Sequence, residues 1–144
     1  MEKLEVVGLD ELIKAFDRIS EVPDEIVNKA LLSMADVASD KIRSSGRSLG
    51  VYDAESNIHI LDRIKIGKPK RKKSGGYANI TFSGSRKRGN TRTRNAAIAF
   101  INEFGKKNQP ARPFIGNAMK KNDEAIVRAG AEIIYNWLEK DYTK

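Results

Sequence analysis

The stretch that decides the fold runs from Ala99 to Ala118, AFINEFGKKNQPARPFIGNA, where an apolar run stops at a glycine and the chain restarts after two closely spaced prolines. Ala97, Ile98, Phe100, Ile101 and Phe104 recur at helical spacing, which predicts a helix over 95–104. Gly105 suits the left-handed backbone that ends a helix, with Lys106 and Lys107 beside the last carbonyls. Pro110 and Pro113 fix their own φ and push Gln109 and Arg112 toward extended geometry, so 109–112 reads as a stiff link. Pro113 is placed as the first residue of a new helix, and Phe114 and Ile115 follow as its anchors in the core. Glu103, Phe104, Gly105, Pro110, Arg112, Pro113 and Phe114 together form a structural corner. Glu103, beside the bend, is expected to pair with Arg112 across it; a half-buried pair of this kind leaves a stranded charge when either member is removed.

Downstream, Ile126, Gly130, Ile133 and Trp137, with Val127, Ile134 and Leu138, make a broad apolar stripe that predicts a helix over 122–142. Upstream, 4–7 reads as a short strand, and Asp10 as the N-cap of a helix carrying Leu12, Ile13, Phe16 and Ile19. Pro23 breaks that helix. From Asp24 to about Ser44, Val27, Leu31, Met34, Ala38 and Ile42 share one face, which predicts a second, longer helix. The segments 44–57 and 67–76 are polar and glycine-containing and read as flexible loops. Ile58, Ile60, Ile64 and Ile66 alternate, as do Tyr77, Asn79, Ile80, Thr81 and Phe82, predicting two strands joined by a basic hairpin. The expected class is α+β, one domain over 1–144, with helices packed on a small, mostly antiparallel β-sheet and long basic hairpin loops.

Net charge is +8 over 144 residues, but it is unevenly placed. Residues 63–112 hold fifteen Lys or Arg and a single acid, Glu103, whereas residues 1–62 hold thirteen acids and seven basic residues. Two clusters dominate: Lys68, Lys70, Arg71, Lys72 and Lys73, then Arg86, Lys87, Arg88, Arg92 and Arg94. Such runs repel themselves and belong on exposed loops or hairpin tips. Three uses compete: contact with acidic faces of neighbouring subunits, the lining of a channel through which DNA passes, and sequence-independent nucleic-acid binding through phosphates. Aromatic interleaving is sparse, and no zinc-finger spacing is present.

Chemistry-bearing motifs are few. His59 is the single histidine and cysteine is absent, so neither a thiolate metal site nor a disulfide is expected, and no cofactor is called for. Asp36 and Asp40 lie one turn apart and read as the wet side of their helix. No phosphate-binding glycine loop is present, and no apolar run is long enough to span a membrane. The expectation is a protein without enzymatic activity, made in a host cytoplasm.

The E-F-G turn at 103–105, the P-A-R-P-F-I run at 110–115 with Ala118 three residues on, and the charged C-terminal helix resemble the tail-component family of long-tailed bacteriophages. Val6-Val7-Gly8-Leu9-Asp10-Glu11-Leu12 is similar to the family's opening, a short strand leading into a helix. Family members often carry P-x-x-T-G-x-L after the second helix, where this chain has Ser45-Gly46-Arg47-Ser48-Leu49. The resemblance implies a structural protein of a phage or prophage tail, a tail-completion or head–tail joining component that acts as an oligomeric ring in the neck of the virion. It implies as partners further copies of the chain, monomeric before assembly, and the tail tube, the tail terminator or the head–tail connector. Contact with DNA would be nonspecific.

Overall fold

The computed structural model describes residues 21–51, 59–72 and 75–142. The expected strand over 4–7, the helix begun at Asp10 and Lys73 lie outside them.

Helix α1, Asp24–Ser48, starts at Pro23, whose carbonyl accepts from the amides of Ile26 and Val27, and carries Asp24 and Glu25 in its first turn, where the helix dipole favours acids. Its buried face is Val27, Ala30, Ala35, Ala38, Ser39, Ile42 and Gly46. The helix runs one turn past the expected end at Ser44, so 44–48 is helical rather than a loop. The cause is packing at Gly46: a Cβ there would stand 2.5 Å from Leu61 Cδ2, so only glycine lets the fully buried Leu61 cover this turn.

A 3-10 helix, Ile60–Arg63, leads into β1, Ile64–Ile66. The alternation of isoleucines across 58–66 is therefore a strand only in its last three residues, and Ile60 and Leu61 are buried by helical geometry instead. β1 pairs antiparallel with β4, Ile80–Phe82, with Ile64 opposite Phe82 and Ile66 opposite Ile80. These four half-buried side chains share the inner face, while Lys65 and Thr81 face out. Beyond them β2, Lys70–Lys72, pairs with β3, Gly75–Tyr77. Residues 67–69 on one side of the hairpin oppose 78–79 on the other, a bulge that accommodates Pro69, which has no amide hydrogen to donate. The segment 67–76 is thus part of a hairpin and not a free loop.

A second hairpin follows. β5, Ser85–Arg88, pairs with β6, Thr91–Arg94, around Gly89, whose φ is 63°. Helix α2, Asn95–Phe104, matches its expected limits. α3 spans Phe114–Tyr142: the helix expected to begin after Pro113 and the one expected over 122–142 are a single element, which kinks at Asn122 (φ −126°, ψ 16°). There the Asn122 side chain donates to the Ala118 carbonyl at 2.9 Å, and Asp123 Oδ1 accepts from the Glu124 amide at 2.7 Å, restarting the helix.

Two apolar clusters hold these elements together. Ile42, Val51, Ile60, Leu61, Ile98, Ala99, Phe114 and Ala118 form the larger, with Ile64, Ile80 and Phe82 against it and Phe82 edge-on to Phe114 at 6.0 Å. Val22, Val27, Ala30 and Ile134 form the smaller, flanked by Leu31, Ile133, Trp137 and Leu138. The second half of α1 meets the start of α3, and its first half meets the end of α3, so the two long helices run antiparallel. The domain is α+β, with all its described β pairing antiparallel and divided among two-stranded ladders.

Candidate assembly surface

The corner is built from backbone amides more than from side-chain charge. The Gly105 amide donates to the Ile101 carbonyl at 2.7 Å and closes α2, and its φ of 79° is a backbone conformation that residues with a Cβ rarely adopt. A Cβ at Gly105 would meet the Ala111 amide nitrogen at 2.8 Å and the Gln109 carbonyl at 2.9 Å, so the position admits glycine alone. Lys106 and Gln109 exchange backbone hydrogen bonds across a tight turn, 2.9 and 3.0 Å. The Arg112 amide then donates to the Asn102 carbonyl at 2.6 Å, which returns the chain to α2. Pro113 stands just before α3, its carbonyl accepting from Asn117, and Phe114 is fully buried.

Glu103 does not pair with Arg112. Its carboxylate accepts from the amides of Ile115 at 2.7 Å and Gly116 at 3.0 Å, capping the first turn of α3, where unpaired N–H groups and the helix dipole together make a stronger site for an anion than one exposed guanidinium. Arg112 Nη1 reaches instead across the molecule to the Gly50 carbonyl at 3.1 Å. Phe104 also departs from its expected place: it is 67% exposed, and Phe100 is 63% exposed, the two rings tilted against each other at 4.8 Å. Residues Asn95, Ile98, Ala99 and Asn102 supply the buried face of α2.

The basic clusters are strands of hairpins, and they divide by direction. Lys68, Lys70 and Lys72 are exposed, with Lys72 Nζ 5.0 Å from the centre of the Tyr77 ring. Arg71 turns inward: its side chain is 17% exposed, Nη1 donates to the Val22 carbonyl at 3.1 Å, and Asp24 lies 3.9 Å away. It ties the hairpin to the start of α1 and does not present charge to a partner. In the second hairpin the register puts Lys87, Arg92 and Arg94 on the outer face, all exposed, with Lys87 directly opposite Arg92. Like charges paired across a ladder are unfavourable in the isolated molecule. Arg86 faces the other way, half-buried, its Nε donating to Asn95 Oδ1 at 3.3 Å. Arg88 continues β5.

Asn95 and Asn102 are the site residues that periodicity does not disclose. Asn95, 1% exposed, donates from Nδ2 to the Ser83 carbonyl at 2.8 Å and accepts from Arg86, fastening both the preceding link and the hairpin to α2. A polar residue on the apolar stripe of α2 was the available signal for each.

Between the hairpin, α2 and the bend lies an open cleft of about 330 Å³. Arg86, Lys106 and Arg112 line it together with the polar Asn102 and Gln109, and no acid is among the described residues that line it. Val51, Ile60, Ile98 and Ile101 complete its wall.

Asp40 pairs with Arg43 at 3.0 Å on the exposed side of α1, as a solvated face requires. Among the described residues no three His, Cys, Asp or Glu side chains gather as metal ligands, and no helix is long and apolar enough to cross a membrane. No protein family, curated protein or solved structure matches the chain.

Proposed function

We propose that the chain is a non-enzymatic structural component of a phage or prophage tail. It completes the head-proximal end of the tail tube and joins it to the head or neck by assembling into a ring within the virion. The observation that carries this reading is the corner: the residues that bear the resemblance to tail components, 103–105 and 110–115, form one braced bend, and the helix that leads into it carries an exposed Phe100–Phe104 pair. Exposed aromatic rings and a like-charged strand pair are costly in a free monomer and become favourable when a neighbour covers them. The acid-rich first 62 residues offer a complement for the basic hairpins of an adjacent copy.

Sedimentation of the purified chain, alone and with random duplex DNA, at low and physiological salt, tests the reading. The expected outcome is a monomer or a discrete ring that ignores DNA at physiological salt. Tight DNA binding that persists there with a steep salt slope would replace it with a sequence-nonspecific nucleic-acid-binding protein that acts through the outer face of Lys87, Arg92 and Arg94.

A further inference from the structure

The cleft between the second hairpin and the bend has a composition that the ring reading does not use. Three cations from separate places in the sequence converge on it: Arg86 from β5, Lys106 from the turn after α2 and Arg112 from the link before α3. Two of them are held in place. Arg86 commits Nε to Asn95 Oδ1 and Arg112 commits Nη1 to the Gly50 carbonyl, so each planar guanidinium is oriented before any ligand arrives. Glu103, the nearest acid in sequence, is occupied by the amides of Ile115 and Gly116. The cleft therefore gathers positive charge that no acid among the described lining residues neutralises.

We infer that this cleft is a docking site for an acidic, apolar segment of a partner protein, taking a carboxylate side chain between Arg86, Lys106 and Arg112. Guanidinium forks match a carboxylate in geometry as well as in charge. A concave space of about 330 Å³ is at the scale of one or two side chains. The apolar part of the ligand has its own surface: Ile101 lines the cleft, and Phe104, one turn along α2, continues outward from it into the exposed ring pair with Phe100. A duplex needs no such surface and would find its phosphate contacts on the outer face of β5 and β6, which is the face opposite Arg86. The inference does not rest on the tail reading. A chain that forms no ring leaves it standing, and a ring that ignores acidic peptides overturns only the inference.

Fluorescence anisotropy with the full chain at physiological salt tests it. Three labelled probes are used: a short peptide of alternating glutamate and leucine, the same peptide with glutamine for glutamate, and oligothymidylate. The glutamate peptide is expected to bind at least about tenfold more tightly than its glutamine counterpart, the loss that follows from removing charge-assisted hydrogen bonds. Lys106→Gln and Phe104→Ser, both at exposed side chains and each checked for an unchanged melting temperature, should each weaken the glutamate peptide by about tenfold. Lys72→Gln, on the other hairpin, should leave it unchanged. Equal binding of the two peptides, or no binding, sinks the proposal. So does a Lys72→Gln loss as large as that of Lys106→Gln, which would mean diffuse charge attraction. Tighter binding of oligothymidylate that Lys106→Gln abolishes would reassign the cleft to a nucleic-acid backbone.

Discussion

Glu103 shows how a single residue is set by what the chain places three-dimensionally beside it. The sequence singles it out, because it is the one acid in a run of fifty residues, but it does not say which positive group it meets. A side chain of the opposite charge nine residues on is the visible candidate; the N-terminus of α3 is invisible until the bend has been folded. The carboxylate joins two helices by capping the second from the last turn of the first. Glu103→Gln keeps the shape and removes the charge, and should cost about 1–3 kcal/mol, lowering the melting temperature by several degrees. Arg112→Gln, which gives up one exposed bond to Gly50, should cost less than half as much. A thermal melt of both variants decides the matter: equal losses would restore the discarded pairing.

At the scale of elements, the described helices were legible and the hairpins only partly. α2 was readable to the residue because an apolar stripe ends at Gly105, whose positive φ no other residue adopts cheaply. The start of the final helix was readable at Pro113 and Phe114 and its stripe from Asn122; that the two belong to one helix was not, since the charged stretch between them interrupts the stripe. β5 and β6 carry no apolar alternation at all, SRKR and TRTR, and their hairpin is signalled only by the Gly89-Asn90 pair at the turn. The cleft was not legible, because its three cations come from different elements and meet only in the fold. The end of α1 was misread for a related reason: glycine and serine at 44–48 look like a loop, yet the glycine is there to admit Leu61. Gly46→Ala gains helix propensity of about 1 kcal/mol but presses on a side chain that is wholly enclosed, and should destabilise by a net of about 1–2 kcal/mol. Denaturant unfolding would show it; a stabilised variant would mean that Leu61 can retreat.

The whole molecule separates what stabilises it from what it shows to others. Most of its described core residues lie on α1, the 3-10 helix, α2 and α3, whereas the two dense basic clusters stand on the hairpins and the aromatic pair is exposed on α2. Arg71 and Arg86 are cations drawn into the structure, each holding its hairpin down. Surface substitutions away from buried contacts usually change stability by less than about 0.5 kcal/mol. Phe100→Ser is accordingly expected to leave the melting temperature within about a degree or two of the parent while reducing self-association in sedimentation. A large fall in melting temperature would show that the ring pair is part of the core after all.

The kink at Asn122 has a further meaning for how the protein breathes. It falls between the two apolar clusters, so α3 is one rod by continuity but two by attachment, its opening turns fixed beside Phe114 and its remainder seated on the first half of α1. Among the described residues the smaller cluster has four buried members against eight in the larger, so the far end of the α1–α3 pair should open as a unit of its own at a lower free energy than the rest. Amide hydrogen exchange followed by mass spectrometry should then show a step in protection near Asn122, with α2 and the second half of α1 exchanging last. Uniform protection along Phe114–Tyr142 would mean that the molecule opens only as a whole. With the step, the end of the protein that carries the corner stays shut while the opposite end samples open forms, a built-in difference between an anchored pole and a pliable one.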